Sequence, residues 1–127
     1  SVLYERARTT APITLPAHSS MLTGLTPVRS NVRDNSLNPL PAEAVTLAER
    51  ARAKGYATGA VVSAAVLDAA FGLDQGFEVY MDPVRDFRTG IHTTYFETSA
   101  EETAGRMVQL LRSRKDREQP FFLWMHL

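Results

Sequence analysis

Apolar and polar residues along the chain switch between two spacings, and each switch marks an expected element. Val2, Leu3 and Tyr4, followed by Arg6, Arg8, Thr9 and Thr10, read as a short strand entering a turn at Ala11-Pro12. Thr14 to Gly24 predicts a helix of one to two turns with Thr14 at its mouth. Pro16 suits a first turn, where its missing N–H costs nothing, and Gly24 suits a left-handed stop. Pro, Asn and Ser between Thr26 and Pro41 mark a long loop. Thr46-Leu47-Ala48-Glu49 has the capping-box pattern, with Ala44, Leu47, Ala48 and Ala51 on one apolar face and Gly55 as the stop.

The second half continues the alternation. Tyr56 to Val62 is an apolar run of strand length, Ala64 to Ala70 a short helix ended by Gly72, and Gly76 to Tyr80 a short extended piece. Asp82 to Thr94 has no clear period and reads as surface cover. Thr98 or Ser99 caps a helix with Ala104, Met107, Val108 and Leu111 as its buried stripe. Beyond Pro120, Phe121 to Leu127 reads as a fully buried parallel strand. Strand and helix therefore alternate, which predicts an α/β fold: a mostly parallel sheet layered with helices, in a single domain spanning 1–127.

Composition narrows the function classes. With 44% hydrophobic residues, 22% charged residues and a formal net charge of zero, the 127-residue chain belongs with soluble globular domains. Balanced charge argues against a nucleic-acid partner, because Asp116 and Glu118 interrupt the densest basic stretch, Arg112 to Arg117. There is no cysteine, so disulfides, thiolate-bound zinc and a cysteine nucleophile are excluded. No apolar run approaches the roughly 20 residues that cross a bilayer, and the first residues lack a signal-peptide layout. The chain does not begin with Met and is expected to be an internal piece of a longer protein.

One segment carries candidate chemistry. A hydroxyl just before a helix N-terminus lies beside unpaired N–H groups and the positive end of the helix dipole, so an anion can be held where that oxygen attacks. Thr14 has this placement, although a plain N-cap would look the same.

Thr14-Leu15-Pro16-Ala17-His18-Ser19-Ser20-Met21-Leu22-Thr23-Gly24 resembles the sulfatase signature, in which Cys or Ser, any residue, Pro, a small residue and Arg lead into Leu-Thr-Gly. Further matches follow in order: Pro27-Val28-Arg29 and Val32-Arg33-Asp34-Asn35, Thr46 to Glu49 with Gly55-Tyr56-Ala57-Thr58, Phe71 to Phe77, and Pro120 to Leu127. The chain thus resembles the amino-terminal part of a sulfatase and alkaline-phosphatase superfamily enzyme, which implies an alkaline-phosphatase-like sheet, incomplete in this chain.

By that resemblance Thr14 takes the position of the nucleophile and of a metal ligand, His18 stands where sulfatases carry the signature Arg, and Asn35 falls where related phosphonate and phosphodiester hydrolases hold an oxyanion-contacting Asn. For His18 a helix-face histidine bonded to a carbonyl, and for Asn35 a turn residue after Asp34, remain open alternatives. The resemblance also implies a divalent metal (Zn, Ca, Mg or Mn) with ligands mostly outside this chain, a small-molecule sulfate or phosphate ester as substrate, and export to the periplasm or cell surface. Asp34, Asp68, Asp74, Asp82 and Asp86 read instead as turn and cap residues, His92 as a solvated loop histidine, and His126 as a hydrogen-bonded structural residue.

Two departures shape the expected chemistry. Threonine cannot become the formylglycine of sulfatases proper, so Thr14 would attack as an alkoxide and favour phosphate or phosphonate esters. Ala64, Ala65 and Val66 occupy the region where many sulfatases carry a Lys and a His. Other readings are a non-catalytic binding domain that keeps the fold, and a plain α/β domain in which the signature is coincidence. Unpaired strand edges on an isolated piece would favour self-association.

Overall fold

The computed structural model describes residues 3–35, 37–83 and 97–127. Its centre is strand β1 (Ala57–Val62), which pairs in parallel with β2 (Val79–Met81) on one side and β3 (Phe121–His126) on the other, giving the order β2-β1-β3. The register places Gly59 opposite Val79 and Leu123, and Val62 opposite His126. All three strands run the same way and helices cover both faces, so the fold is α/β as the alternation predicts.

β1 is buried almost end to end because each face meets a different layer. Ala60 and Val62 join Leu15, Val32, Leu67 and Leu73 in the main core, whereas Val61 packs with Met107 and Leu110 of helix α4 (Ala100–Ser113). Gly59 permits that second contact: a Cβ there would lie 2.7 Å from Leu110 Cδ2. Ser99 caps α4 by accepting from the Glu102 N–H. The buried stripe of α4 is Thr103, Met107 and Leu110, so the expected stripe holds only at Met107; Val108 and Leu111 are exposed. Helix rotation is set by which side chains reach β1, and the Thr103 hydroxyl satisfies itself on the Ser99 carbonyl at 2.9 Å.

Helix α1 (Thr14–Thr23) runs 10 residues, longer than expected, and ends at Gly24 in the left-handed conformation. A four-residue helix α2 (Pro27–Ser30) interrupts the long loop, whose Val32 is fully buried and anchors it to the core. Helix α3 (Leu47–Ala53) opens with the full capping box: Thr46 Oγ1 accepts from the Glu49 N–H while Glu49 Oε2 accepts from the Thr46 N–H.

The segment Phe71 to Phe77 is the anchor for that helix. Thr46 Oγ1 donates to the Gln75 carbonyl at 2.8 Å, and Gln75 Nε2 donates to the carbonyls of Gly72 at 2.8 Å and Leu40 at 3.2 Å. Gly76 adopts φ +87° and lies so close to α3 that a Cβ would sit 2.2 Å from the Glu49 nitrogen.

Three further expectations are corrected. Residues 3–10 form no strand; Leu3 and Tyr4 are exposed, having no strand beside them to bury against. Ala64 to Ala70 is not one helix but two 3₁₀ turns, Ala65–Leu67 and Ala69–Phe71, broken at Asp68, whose carboxylate accepts from the Ala70 N–H. β3 is only partly buried: Trp124 is covered, but Phe121 and Met125 are exposed, β3 being an edge strand among the described residues. The Arg114 guanidinium lies 4.3 Å over the Phe121 ring and donates to the Gln119 carbonyl, closing the turn from α4 to β3. The expected surface cover, together with Asp86 and His92, falls largely outside the described residues.

Candidate functional site

The N-terminus of α1 is built from two sequence segments, Ile13 to Ala17 and the loop that carries Asn35. Ile13 is the N-cap and makes no side-chain cap, so Thr14 is the first helical residue rather than a plain cap. Asn35 supplies the missing cap from the loop: its Oδ1 accepts the Leu15 N–H at 2.9 Å. Pro16 has no N–H, and the Ala17 N–H closes on the Ile13 carbonyl at 3.2 Å. The row of unpaired N–H groups expected here is thus narrowed to the Thr14 N–H, beside a half-buried Thr14 side chain.

One turn into α1, His18 Nδ1 donates to the Thr14 carbonyl at 2.8 Å, leaving Nε2 as the ring's open nitrogen. This is the carbonyl-bonded arrangement of the helix-face alternative, but the ring is not alone. It packs against Trp124 with ring centroids 5.5 Å apart and edge-to-face against His126 at 4.9 Å. His126 Nδ1 in turn shares a hydrogen bond with Ser63 Oγ at 3.1 Å.

Ser63 directly follows β1 and His126 ends β3, so both stand at the carboxyl ends of adjacent parallel strands, where open α/β sheets place their ligand sites. Burial, and next the neighbouring His18 ring, hold the His126 imidazole below its ordinary pKa, with Glu97 partly opposing. Glu97 is brought there by its bridge to Ala64 and by the Thr98 N–H donating to the Ser63 carbonyl.

A cavity of about 560 Å³ lies between residues 7–10 and α1, lined among others by Arg8, Thr9, Thr10, His18 and Ser20. It brings a cationic side chain and several hydroxyls to the side of α1 that carries His18. The Ser19 and Ser20 hydroxyls are buried without a hydrogen-bond partner among the described residues. The structure therefore brings Thr14, His18 and Asn35 to one helix end, and adds Ser63 and His126. Sequence reading saw His126 as hydrogen-bonded but missed its contact with His18, for which the sequence offers no local signal.

The residues present do not by themselves fit a metal. Among the described residues no three His, Cys, Asp or Glu side chains converge on a common point. Asp34, Asp68 and Asp82 accept from the backbone N–H groups of Leu37, Ala70 and Ala69, in keeping with turn and cap roles. No described helix is long and apolar enough to cross a membrane.

Compared with known proteins, the chain matches a family model described as Sulfatase over residues 1–127. That match over the whole length overturns the reading in which the ordered motifs are coincidence. No curated protein was found to match the chain.

Proposed function

This chain belongs to the sulfatase family, and from that premise we propose that it carries the nucleophile end of an ester hydrolase whose attacking group is the Thr14 hydroxyl. The family consists of hydrolases that act on esters and generally use a divalent metal. The observation that carries the proposal is the convergence of Asn35 and His18 on the turn that begins at Thr14.

Each residue has a part its geometry supports. Thr14 Oγ1 gives up its proton and attacks the phosphorus or sulfur of the ester; the bond from that atom to the organic oxygen breaks and the alcohol leaves with a proton. Water later cleaves the covalent threonine ester, releasing the acid and restoring the Thr14 hydroxyl. Because a threonine cannot be converted into a formylglycine, phosphate and phosphonate esters are the favoured substrates. Asn35 has its Oδ1 committed to the Leu15 N–H, so its NH₂ end is the one left to hold a substrate oxygen. His18, with Nδ1 committed to the Thr14 carbonyl, offers Nε2 to exchange a proton with a reacting oxygen. The cavity beside His18 takes the organic part of the ester.

A metal would take Thr14 as one oxygen ligand, and the rest would come from outside the described residues. We accordingly read residues 1–127 as the amino-terminal part of a catalytic domain.

The test is a comparison of Thr14→Ala and Thr14→Ser in the protein that carries this chain. It would be assayed with added divalent ions on phosphate monoesters, phosphate diesters and aryl sulfates. Loss of turnover in Thr14→Ala with retention in Thr14→Ser is expected, on phosphate esters above sulfate esters. Turnover unchanged by Thr14→Ala would end the proposal.

A further inference from the structure

We propose that Ser63 and His126 are positioning residues for His18: Ser63 fixes the His126 ring, and that ring fixes the His18 imidazole with Nδ1 on the Thr14 carbonyl and Nε2 open. The positioning stands on geometry alone; its catalytic consequence rests on the role given to His18 above.

An imidazole on a helix face can rotate about its Cβ–Cγ bond and can carry its proton on either nitrogen. Both freedoms are restricted at His18. The Thr14 carbonyl at 2.8 Å selects a proton on Nδ1, since a carbonyl only accepts. Trp124 and His126 flank the ring at 5.5 and 4.9 Å, inside the distances at which aromatic rings hold a preferred mutual orientation.

His126 is itself held. Its backbone is paired with Val62 in the sheet, and its Nδ1 meets the hydroxyl of Ser63, which is 4% exposed. Ser63 is tied further through its carbonyl, which accepts the Thr98 N–H at 2.9 Å. The chain of contacts thus runs from two rigid strand ends to a ring on α1, an arrangement suited to fixing a reacting group by the shell around it.

The experiment uses the protein labelled with ¹⁵N in its histidines and long-range ¹H–¹⁵N correlation at a pH where the rings are neutral. His18 is expected to show a single tautomer with the proton on Nδ1. In Ser63→Ala and His126→Ala it should become a mixture of both tautomers while the amide spectrum stays dispersed, and His126→Phe, which keeps a ring in place, should restore the single form.

A single, unchanged His18 tautomer in both alanine variants overturns the positioning; Ser63→Ala, the milder change, keeps the test open if His126→Ala does not fold. Turnover of the best phosphate ester should drop about 10- to 100-fold in kcat in His126→Ala, with KM within about twofold. A tautomer change without a drop in kcat would keep the positioning and overturn the catalytic role of His18.

Discussion

Replacing Gly76 with alanine should be among the most destabilising single-methyl changes this chain can suffer, and the structure separates the two reasons. Gly76 lies at φ +87°, where an L side chain is strained by about 1–2 kcal/mol, and the new Cβ would meet Glu49 N at 2.2 Å and Glu49 Cα at 2.7 Å. These are backbone atoms of α3, held by the capping box and by the Thr46–Gln75 hydrogen bond, so they cannot yield as a side-chain tip would.

Overpacking of this kind costs about 1–3 kcal/mol. Alanine also restricts the unfolded chain, offsetting about 0.4–1 kcal/mol. The net loss is about 2–4 kcal/mol. Two other glycines serve as internal controls. Gly55 has φ +81° with nothing within 4 Å, so Gly55→Ala carries only the strain and should lose about 1 kcal/mol or less. Gly59 meets only the Leu110 and Leu123 side-chain ends, at 2.7 and 3.0 Å, so Gly59→Ala should fall between the two.

Urea unfolding followed by circular dichroism reads this directly. With a slope of about 1–3 kcal/mol per molar urea, Gly76→Ala should lower the midpoint by about 1–2 M. A Gly76→Ala midpoint indistinguishable from wild type, or equal to that of Gly55→Ala, would refute the claim that α3 is seated against this turn.

Removing the Asn35 cap by Asn35→Ala should cost about 1 kcal/mol in the same urea experiment, with Asn35→Asp losing less because the acceptor to Leu15 is kept; equal losses would show that Oδ1 is not the cap. The folded His126 binds its proton less readily than the unfolded chain, because burial and His18 lower its pKa from 6.5. Its contribution to stability is therefore present above about pH 6.5 and declines as pH falls below that value. Thermal melts at acid and neutral pH should show a smaller difference in His126→Phe than in wild type, and identical pH slopes would contradict the environment described.

How far the sequence could be read follows from which forces are local. The capping box at Thr46, the Ser99 cap and the stop at Gly24 were legible because each depends on a few adjacent residues. The rotation of α4 was not, since Val108 and Leu110 are both apolar and only the position of β1 decides which is buried. β3 looked fully buried because its residues are apolar throughout, yet its place at the sheet edge comes from topology. At the site, the resemblance pointed to Thr14, His18 and Asn35, and the fold brings them together. The part played by Asn35 as the cap of α1 depends on how the loop after α2 folds back on that helix, and the Ser63–His126–His18 contacts depend on strand register; no local pattern encodes either.

Among the described residues, the first strand in sequence is the middle strand of the sheet. β1 therefore has both flanks occupied, while the outer main-chain groups of β2 and β3 have no ladder partner among the described residues. Lateral growth of the sheet, whether by more of the same polypeptide or by another molecule, must then proceed outward from those two flanks. The His18–His126 contact, anchored where the central strand meets its neighbour, would keep its place as the sheet widened around it.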